Sequence, residues 1–276
     1  MMWSDNSSSK TSDVKLTEHI SSRDFQPRFQ AAEPCLDVVN SELETFCSCV
    51  SHDLRAPLRH INSYSALLLQ DFASYLPVAA QDYIERINRS SSRMGYMIDE
   101  LLELSRLSRT HLVLGWVDLS EMARQVIQRL MESEKQRDVE TVIASTPPVL
   151  ADMGLLVRVM ENLLGNAWKF TSGTPSAKIE FGMTQYQGGQ VFFIKDNGAG
   201  FDMSYASKLF GTFERLHGPE FEGVGIGLAI ADRIVRRHGG SIWGEGVIEE
   251  GATFYFSLPV PSDAASPTPL HSGGGR

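Results

Sequence analysis

Two stretches of about thirty residues carry apolar side chains three and four positions apart, and a proline-bearing turn separates them. The first includes Phe46, Val50, Leu54, Leu58 and Ile61; the second includes Ile84, Ile87, Met94, Ile98 and Leu101, with Ser91 interrupting. That spacing puts each set on one side of a helix. The pattern predicts helices from Leu36 to about Asp71 and from about Ala79 to Arg109, joined through DFASYLPVAA (71–80) with Pro77. Two long helices with a short connection form an antiparallel hairpin. One hairpin cannot cover both of its stripes, and pairing with a second copy into a four-helix bundle solves that, so a homodimer is expected.

Beyond His111 the texture changes to short alternating strands and helices. Strands are expected at 112–117, 141–145, 177–186, 191–196, 241–247 and 252–258, with the turn QGGQ at 187–190. Helices are expected from Leu119, over Met153–Phe170, briefly near 203–210, and over Ile226–Arg237. Strands and helices mixed in this way imply a two-layer α/β sandwich. The expected organisation is a disordered leader (1–34), a helical hairpin (35–110), the sandwich domain (111–260) and a disordered low-complexity tail (261–276). A net charge of −9 argues against a general nucleic-acid or anionic-membrane binder, since both require a basic face. There is no run of eighteen apolar residues and no basic-then-apolar leader, so membrane insertion is not expected and the chain reads as cytoplasmic. Cys35, Cys47 and Cys49 form no zinc-like second cluster and suit a reducing interior.

Four segments carry chemistry. In RVMENLLGNAWKF, Asn162, Asn166 and Lys169 fall on one helix face, with Leu156, Val159, Met160, Leu163, Leu164, Ala167 and Phe170 opposite. Amide oxygens suit Mg²⁺ and the ammonium suits phosphate, although a merely solvated polar face would look the same. In DNGAGF (196–201), Asp196 follows an apolar strand; as an ionised acceptor it matches the exocyclic amine of adenine, while Gly198 and Gly200 admit a flat ligand close to the backbone. A plain tight turn would also read this way. In GVGIGLAIADRIV, Gly223, Gly225 and Gly227 open a helix, where free N–H groups and the dipole favour phosphate. Neither the dinucleotide fingerprint nor a P-loop fits that spacing. In SHDLRAPLR, His52 is followed by Asp53, with Arg55 and Arg59 on the same helix side and Pro57 mid-helix, where it removes a backbone bond to Asp53. This arrangement fits a nucleophilic imidazole whose other nitrogen is steadied by Asp53. Taken alone, His52 could also be an ordinary surface histidine.

In their order, these segments resemble the histidine kinase family, whose catalytic domain belongs to the GHKL (Bergerat-fold) ATPases alongside gyrase and heat-shock chaperones. The resemblance covers about residues 40–260, and SHDLRAPLR, NLLGNAWKF, KLFGTFERLH, EFEGVGIGLAI and GATFYF look most like the phytochrome-type and related soluble sensor kinases. It implies that His52 takes the γ-phosphoryl group of ATP with Asp53 as base. By the same resemblance Asn166 holds Mg²⁺ beside Asn162, Lys169 meets the phosphates, and Glu161 orders water or metal. Asp196 binds adenine over a floor shaped by Gly198 and Gly200. Phe210, Phe213 and Arg215 match the family's F-box, with Arg215 directed at the γ-phosphate; Gly223, Gly225 and Gly227 close over the triphosphate, and Thr253 contacts the site. Onward transfer to an aspartate of a response regulator receiver domain follows, with a hinge near Thr110 to Gly115 bringing the two domains together.

Two departures from the family pattern bear on function. Members that dephosphorylate their regulator often carry Thr or Asn four residues after the histidine; Ala56 stands there, so weak phosphatase activity is expected. The segment before the hairpin is too short for an ordinary sensor domain and contains no bilin-binding domain, so the signal is expected through a separate sensor protein, through residues 1–45, or through a region removed from the chain. Three other readings compete: a dimeric adaptor that binds ATP or a regulator without transferring phosphate, another GHKL ATPase or serine kinase, and a regulator phosphatase. Intact His52, Asn166 and Asp196 oppose the first, the helical hairpin opposes the second, and Ala56 opposes the third.

Overall fold

The computed structural model describes the backbone of residues 26–107, 111–218, 221 and 223–259, and side chains from Cys49 onward. The expected leader up to residue 25, the expected tail, the side chains of Cys35, Phe46 and Cys47, and Thr110 at the expected hinge lie outside the described residues. The chain divides into residues 1–43 and 44–276. In the first unit the described backbone, from Gln26, is helical, and apart from the first residues of helix α1 all that follows concerns the second.

Helix α1 (Gln26–Phe72) starts earlier than the apolar stripe indicated and runs unbroken through Pro57. A 3₁₀ turn at Ala73–Tyr75 and Pro77 lead into α2 (Val78–Arg106). The Gln81 side chain closes the connection by donating to the carbonyls of Ala73 (2.8 Å) and Leu76 (3.1 Å). Ser91, the interruption in the α2 stripe, is buried, and its hydroxyl donates to the Leu58 carbonyl at 3.3 Å. A small hydroxyl at that position lets the helices approach, where a larger side chain would hold them apart.

The remainder is a five-stranded sheet in the order β2-β4-β5-β7-β6, with a separate β1-β3 ladder. Its strands are β1 (Leu114–Val117), β2 (Val139–Ile143), β3 (Val149–Asp152), β4 (Ala177–Tyr186), β5 (Gly189–Asp196), β6 (Ile242–Val247) and β7 (Gly251–Phe256). β2 pairs parallel with β4; the other ladders are antiparallel. Helices α3 (Leu119–Ser133), α4 (Met153–Phe170) and α5 (Gly227–Arg237) supply the second layer. Asp118 caps α3 by accepting from the N–H groups of Ser120 and Glu121, and Asp152 caps α4 by accepting from Leu155. Leu156, Met160, Leu163 and Leu164 of α4 are fully buried against Ile179, Phe181 and Ile194 of the sheet and Ile230 and Ile234 of α5.

The sandwich was legible in the sequence, and α4 keeps its expected limits. β3 was not foreseen: four residues are too few to show alternation, and its partner β1 lies more than thirty positions away. Phe170 is also placed differently from the expectation. Trp168 joins the buried face of α4, while Phe170 at the last turn packs on His217 and Phe221. Among the described residues no helix is long and apolar enough to cross a membrane.

Candidate nucleotide site and phosphoacceptor groove

A cavity of about 300 Å³ opens where α4, the start of α5, the loop after β5 and the first half of β7 converge. Asn162, Asn166, Lys169, Asp196, Gly200, Arg215, Gly223, Gly225 and Gly227 all line it, so residues from four separate motifs meet at one site. The lining divides chemically. Asp196 stands with the apolar Phe201, Leu209, Ala252 and Phe254, while the two asparagines stand with Lys169, Arg215 and the glycine loop.

Asp196 closes β5 and is 3% exposed. Burial lifts its carboxyl to about 6, against the lowering effect of N–H groups donated by Gly198 (at 2.9 Å) and Ala252. Burial, together with the neighbouring Arg215 guanidinium, lowers the Lys169 ammonium to about 8. The Lys169 ammonium donates to Asn166 Oδ1 at 3.1 Å and sits 4.2 Å from the Phe170 ring centroid. Two cations in a partly desolvated pocket, with an amide oxygen directed at one of them, suit a polyanion. For magnesium, no group of three or more His, Cys, Asp or Glu side chains is placed to hold a metal among the described residues. The Asn166 side chain does supply an amide oxygen at the cavity, the kind of donor that a hard cation takes.

Three expected site residues stand outside the lining. On β7, side chains alternate between faces: Ala252 and Phe254 point into the cavity and Thr253 to the other side of the sheet. Phe210 packs against the core instead. Gly198 serves the loop's packing, since a Cβ there would collide with the Phe170 carbonyl; Gly200, at φ +60°, passes against the Val247 carbonyl. Gly227 is closely confined too: a Cβ would meet Asn162 Oδ1, so α5 begins in contact with the α4 amide. Arg215 lines the cavity while its Nη2 donates to the carbonyls of Gly218 and Phe221, both at 2.7 Å, which fixes the loop between them. Phe213 is exposed at φ +65°, its N–H held by the Gly225 carbonyl at 2.8 Å. Glu161 also lines the cavity, and its two oxygens face Arg129 (3.1 Å) and Arg158 (3.4 Å) respectively.

Sequence reasoning missed Tyr96 and Glu100 of α2, which also line the cavity. It also missed Arg158, whose Nε donates to Glu103 at 2.6 Å and whose Nη2 lies 3.4 Å from Glu100. A signal existed, because Arg158, Asn162 and Asn166 form one i, i+4, i+8 row along α4.

His52 lies in an open groove between α1 and α2 with Arg55, Arg59, Ser91, Gly95, Tyr96 and Asp99. The imidazole is exposed, and its Nδ1 stands 3.2 Å from Asp53 Oδ1, so adjacent helix residues do meet. Arg55 reaches across to α2, its Nε 3.1 Å from Asp99 Oδ1.

Comparison with known proteins agrees with both halves. Residues 42–110 match the His Kinase A (phospho-acceptor) domain, and residues 151–262 match the histidine kinase-, DNA gyrase B- and HSP90-like ATPase family. The chain belongs to the sensor histidine kinases. Among its relatives are the phytochrome-like protein Cph1 of Synechocystis, 34% identical over 82% of this chain and 30% of the relative, and cyanobacterial phytochrome B of Nostoc, 35% identical over 81% and 30%. A third is the methanogenesis regulatory histidine kinase FilI of Methanothrix harundinacea, at 31% over 82% and 26%. The chain thus spans about a third or less of the length of these relatives. Full-length ShkA in complex with AMPPNP shares the fold at a TM-score of 0.59 and 26% identity, over 79% of this chain and 46% of that one.

Proposed function

We propose that this chain is an ATP-dependent protein histidine kinase that phosphorylates His52 and passes the phosphoryl group to an aspartate on the receiver domain of a response regulator. The observation that carries the reading is the convergence of Asn162, Asn166, Lys169, Asp196 and the glycine loop on one cavity, within a chain that presents an exposed, carboxylate-steadied imidazole. Asp196 accepts from the adenine amine, and the apolar walls hold the ring. Lys169, Arg215 and the N–H groups at the start of α5 receive the phosphates. Magnesium, held through Asn166, neutralises phosphate charge when bound.

With the Nδ1 proton directed at Asp53, Nε2 carries the free lone pair and is the attacking atom. As the Nε2–P bond forms, the bond between the γ-phosphorus and the β,γ-bridging oxygen breaks, and its electron pair leaves on ADP. Asp53 stabilises the positive charge that develops on the ring. The resulting phosphoramidate is labile, which suits transfer to a carboxylate. Ala56 offers no polar group to orient a water, and this supports weak phosphatase activity toward the regulator.

Incubation with γ-labelled ATP and magnesium tests the reading. An acid-labile, alkali-stable label is expected on the wild type, absent from His52→Gln and Asn166→Ala, and discharged onto a cognate receiver domain. Label that survives His52→Gln would refute it.

A further inference from the structure

We propose that transfer runs within one chain, each nucleotide cavity serving the His52 of its own protomer. This rests on the kinase reading above and specifies its substrate. The observation behind it is Tyr96, which lines both the nucleotide cavity and the His52 groove. The two sites of one chain therefore meet across a single side chain.

Contacts on both sides of Tyr96 fix that wall. Three residues before it, Arg93 Nη2 donates to the Gly223 carbonyl at 3.1 Å, so α2 holds the glycine loop of its own cavity. Four residues after it, Glu100 is 5% exposed, takes a hydrogen bond from the Tyr96 hydroxyl and pairs with Arg158, one turn before Asn162 on α4. On the groove side, α1 is tied to α2 through Arg55 to Asp99 and Ser91 to Leu58. These contacts run from the helix that carries His52, through α2, to the glycine loop and α4 that build the cavity. On the side of the cavity that faces the His52 groove, the wall is formed by Tyr96 and Glu100 of the chain's own α2. Holding both reactants on one framework also supplies the proximity on which phosphoryl transfer depends. Tyr96 acts here as a positioning residue and takes no proton in the step.

Two differentially tagged heterodimers decide the matter. In the first, a wild-type chain is paired with a chain carrying both His52→Gln and Asn166→Ala; in the second, a His52→Gln chain is paired with an Asn166→Ala chain. The expected result is that the wild-type chain in the first heterodimer labels at its homodimer rate, while the second heterodimer stays unlabelled. A silent first heterodimer with a labelled second one would overturn the proposal. The wild-type homodimer is run beside them, and silence there would sink the kinase reading itself and this inference with it. Tyr96→Ala adds a second readout: labelling at saturating ATP should fall on the order of a hundredfold, and Tyr96→Phe, which keeps the ring, should recover most of the rate. Unchanged labelling in Tyr96→Ala would remove the shared wall as the basis of the inference.

Discussion

Asp196 and Lys169 show at the level of single residues how the site is held at some cost to the empty fold. The Asp196 carboxyl is lifted to about 6 by burial, above its value in an unfolded chain. Its contribution to stability is therefore fully present only below the unfolded carboxylate range and is lost as pH rises through 6. At neutral pH the ion is a burden on the empty protein, offset in part by the Gly198 and Ala252 donors. Asp196→Asn keeps an acceptor for those donors and removes the charge. It should raise the melting temperature of the nucleotide-free protein, at about 2–4 °C for each kcal/mol relieved, while abolishing ATP binding; calorimetry reads both. The charged states that nucleotide needs also define a pH window. Asp196 must be ionised to accept from adenine, so affinity falls below pH 6. Lys169, at about 8, must be protonated to meet phosphate, so affinity falls again above 8. Nucleotide titrations should give a bell-shaped profile between those values, with proton uptake on binding near its alkaline edge; a flat profile would remove both residues from the binding machinery. Their pattern alone left both open, Lys169 on a helix face that could be merely solvated and Asp196 in what could be a plain tight turn; the resemblance supplied the expectation for both. Thr253 was not legible, since Phe254 and Tyr255 put aromatics on both parities of β7 and hid which face was inward.

At the scale of the element, α4 organises the site because it serves two partners. Its buried side carries the core, and its polar row runs Arg158, Asn162, Asn166, from the α2 contact into the cavity. Glu100 and Glu103 share Arg158, and burial together with the neighbouring Glu103 charge raises the Glu100 carboxyl. Removing the guanidinium leaves that carboxylate buried without its cation. Arg158→Ala should lower stability to urea by about 1–3 kcal/mol, less than for a fully buried pair because Arg158 is 37% exposed. Adding Glu100→Gln should return part of the loss; a double-mutant cycle showing no coupling would dissociate the two residues. Long elements with a strong period, such as α2 and α4, could be read from the sequence almost to their ends, and α1 at its C-terminal end. The β1-β3 ladder and the α2–α4 contact could not, because both join short or exposed segments through partners distant in the chain, and periodicity carries no information about partner choice.

For the whole molecule, the hairpin poses the remaining question of what covers its apolar side. Val50, Leu54, Ile61, Leu68 and Phe72 on α1, and Ile87 and Met94 on α2, are each at least 38% exposed. Isolated exposed apolar residues are ordinary, but a file of them along two packed helices is a surface that water disfavours, and a second hairpin presenting the same file would bury it symmetrically. Burial stabilises by about 25 cal/mol for each Å² of apolar surface, so a charge placed in that file should act on association first. Ile61 and Leu68 lie two turns apart on α1 and outside the His52 groove. Ile61→Glu combined with Leu68→Glu should shift the protein from dimer to monomer in sedimentation. The nucleotide cavity is built from the α/β layer together with Tyr96 and Glu100, which these changes do not touch, so ATP affinity should survive. A variant that stayed dimeric would place the contact between copies on another surface. One that became monomeric and also lost ATP would mean that pairing of hairpins holds α2 against the cavity.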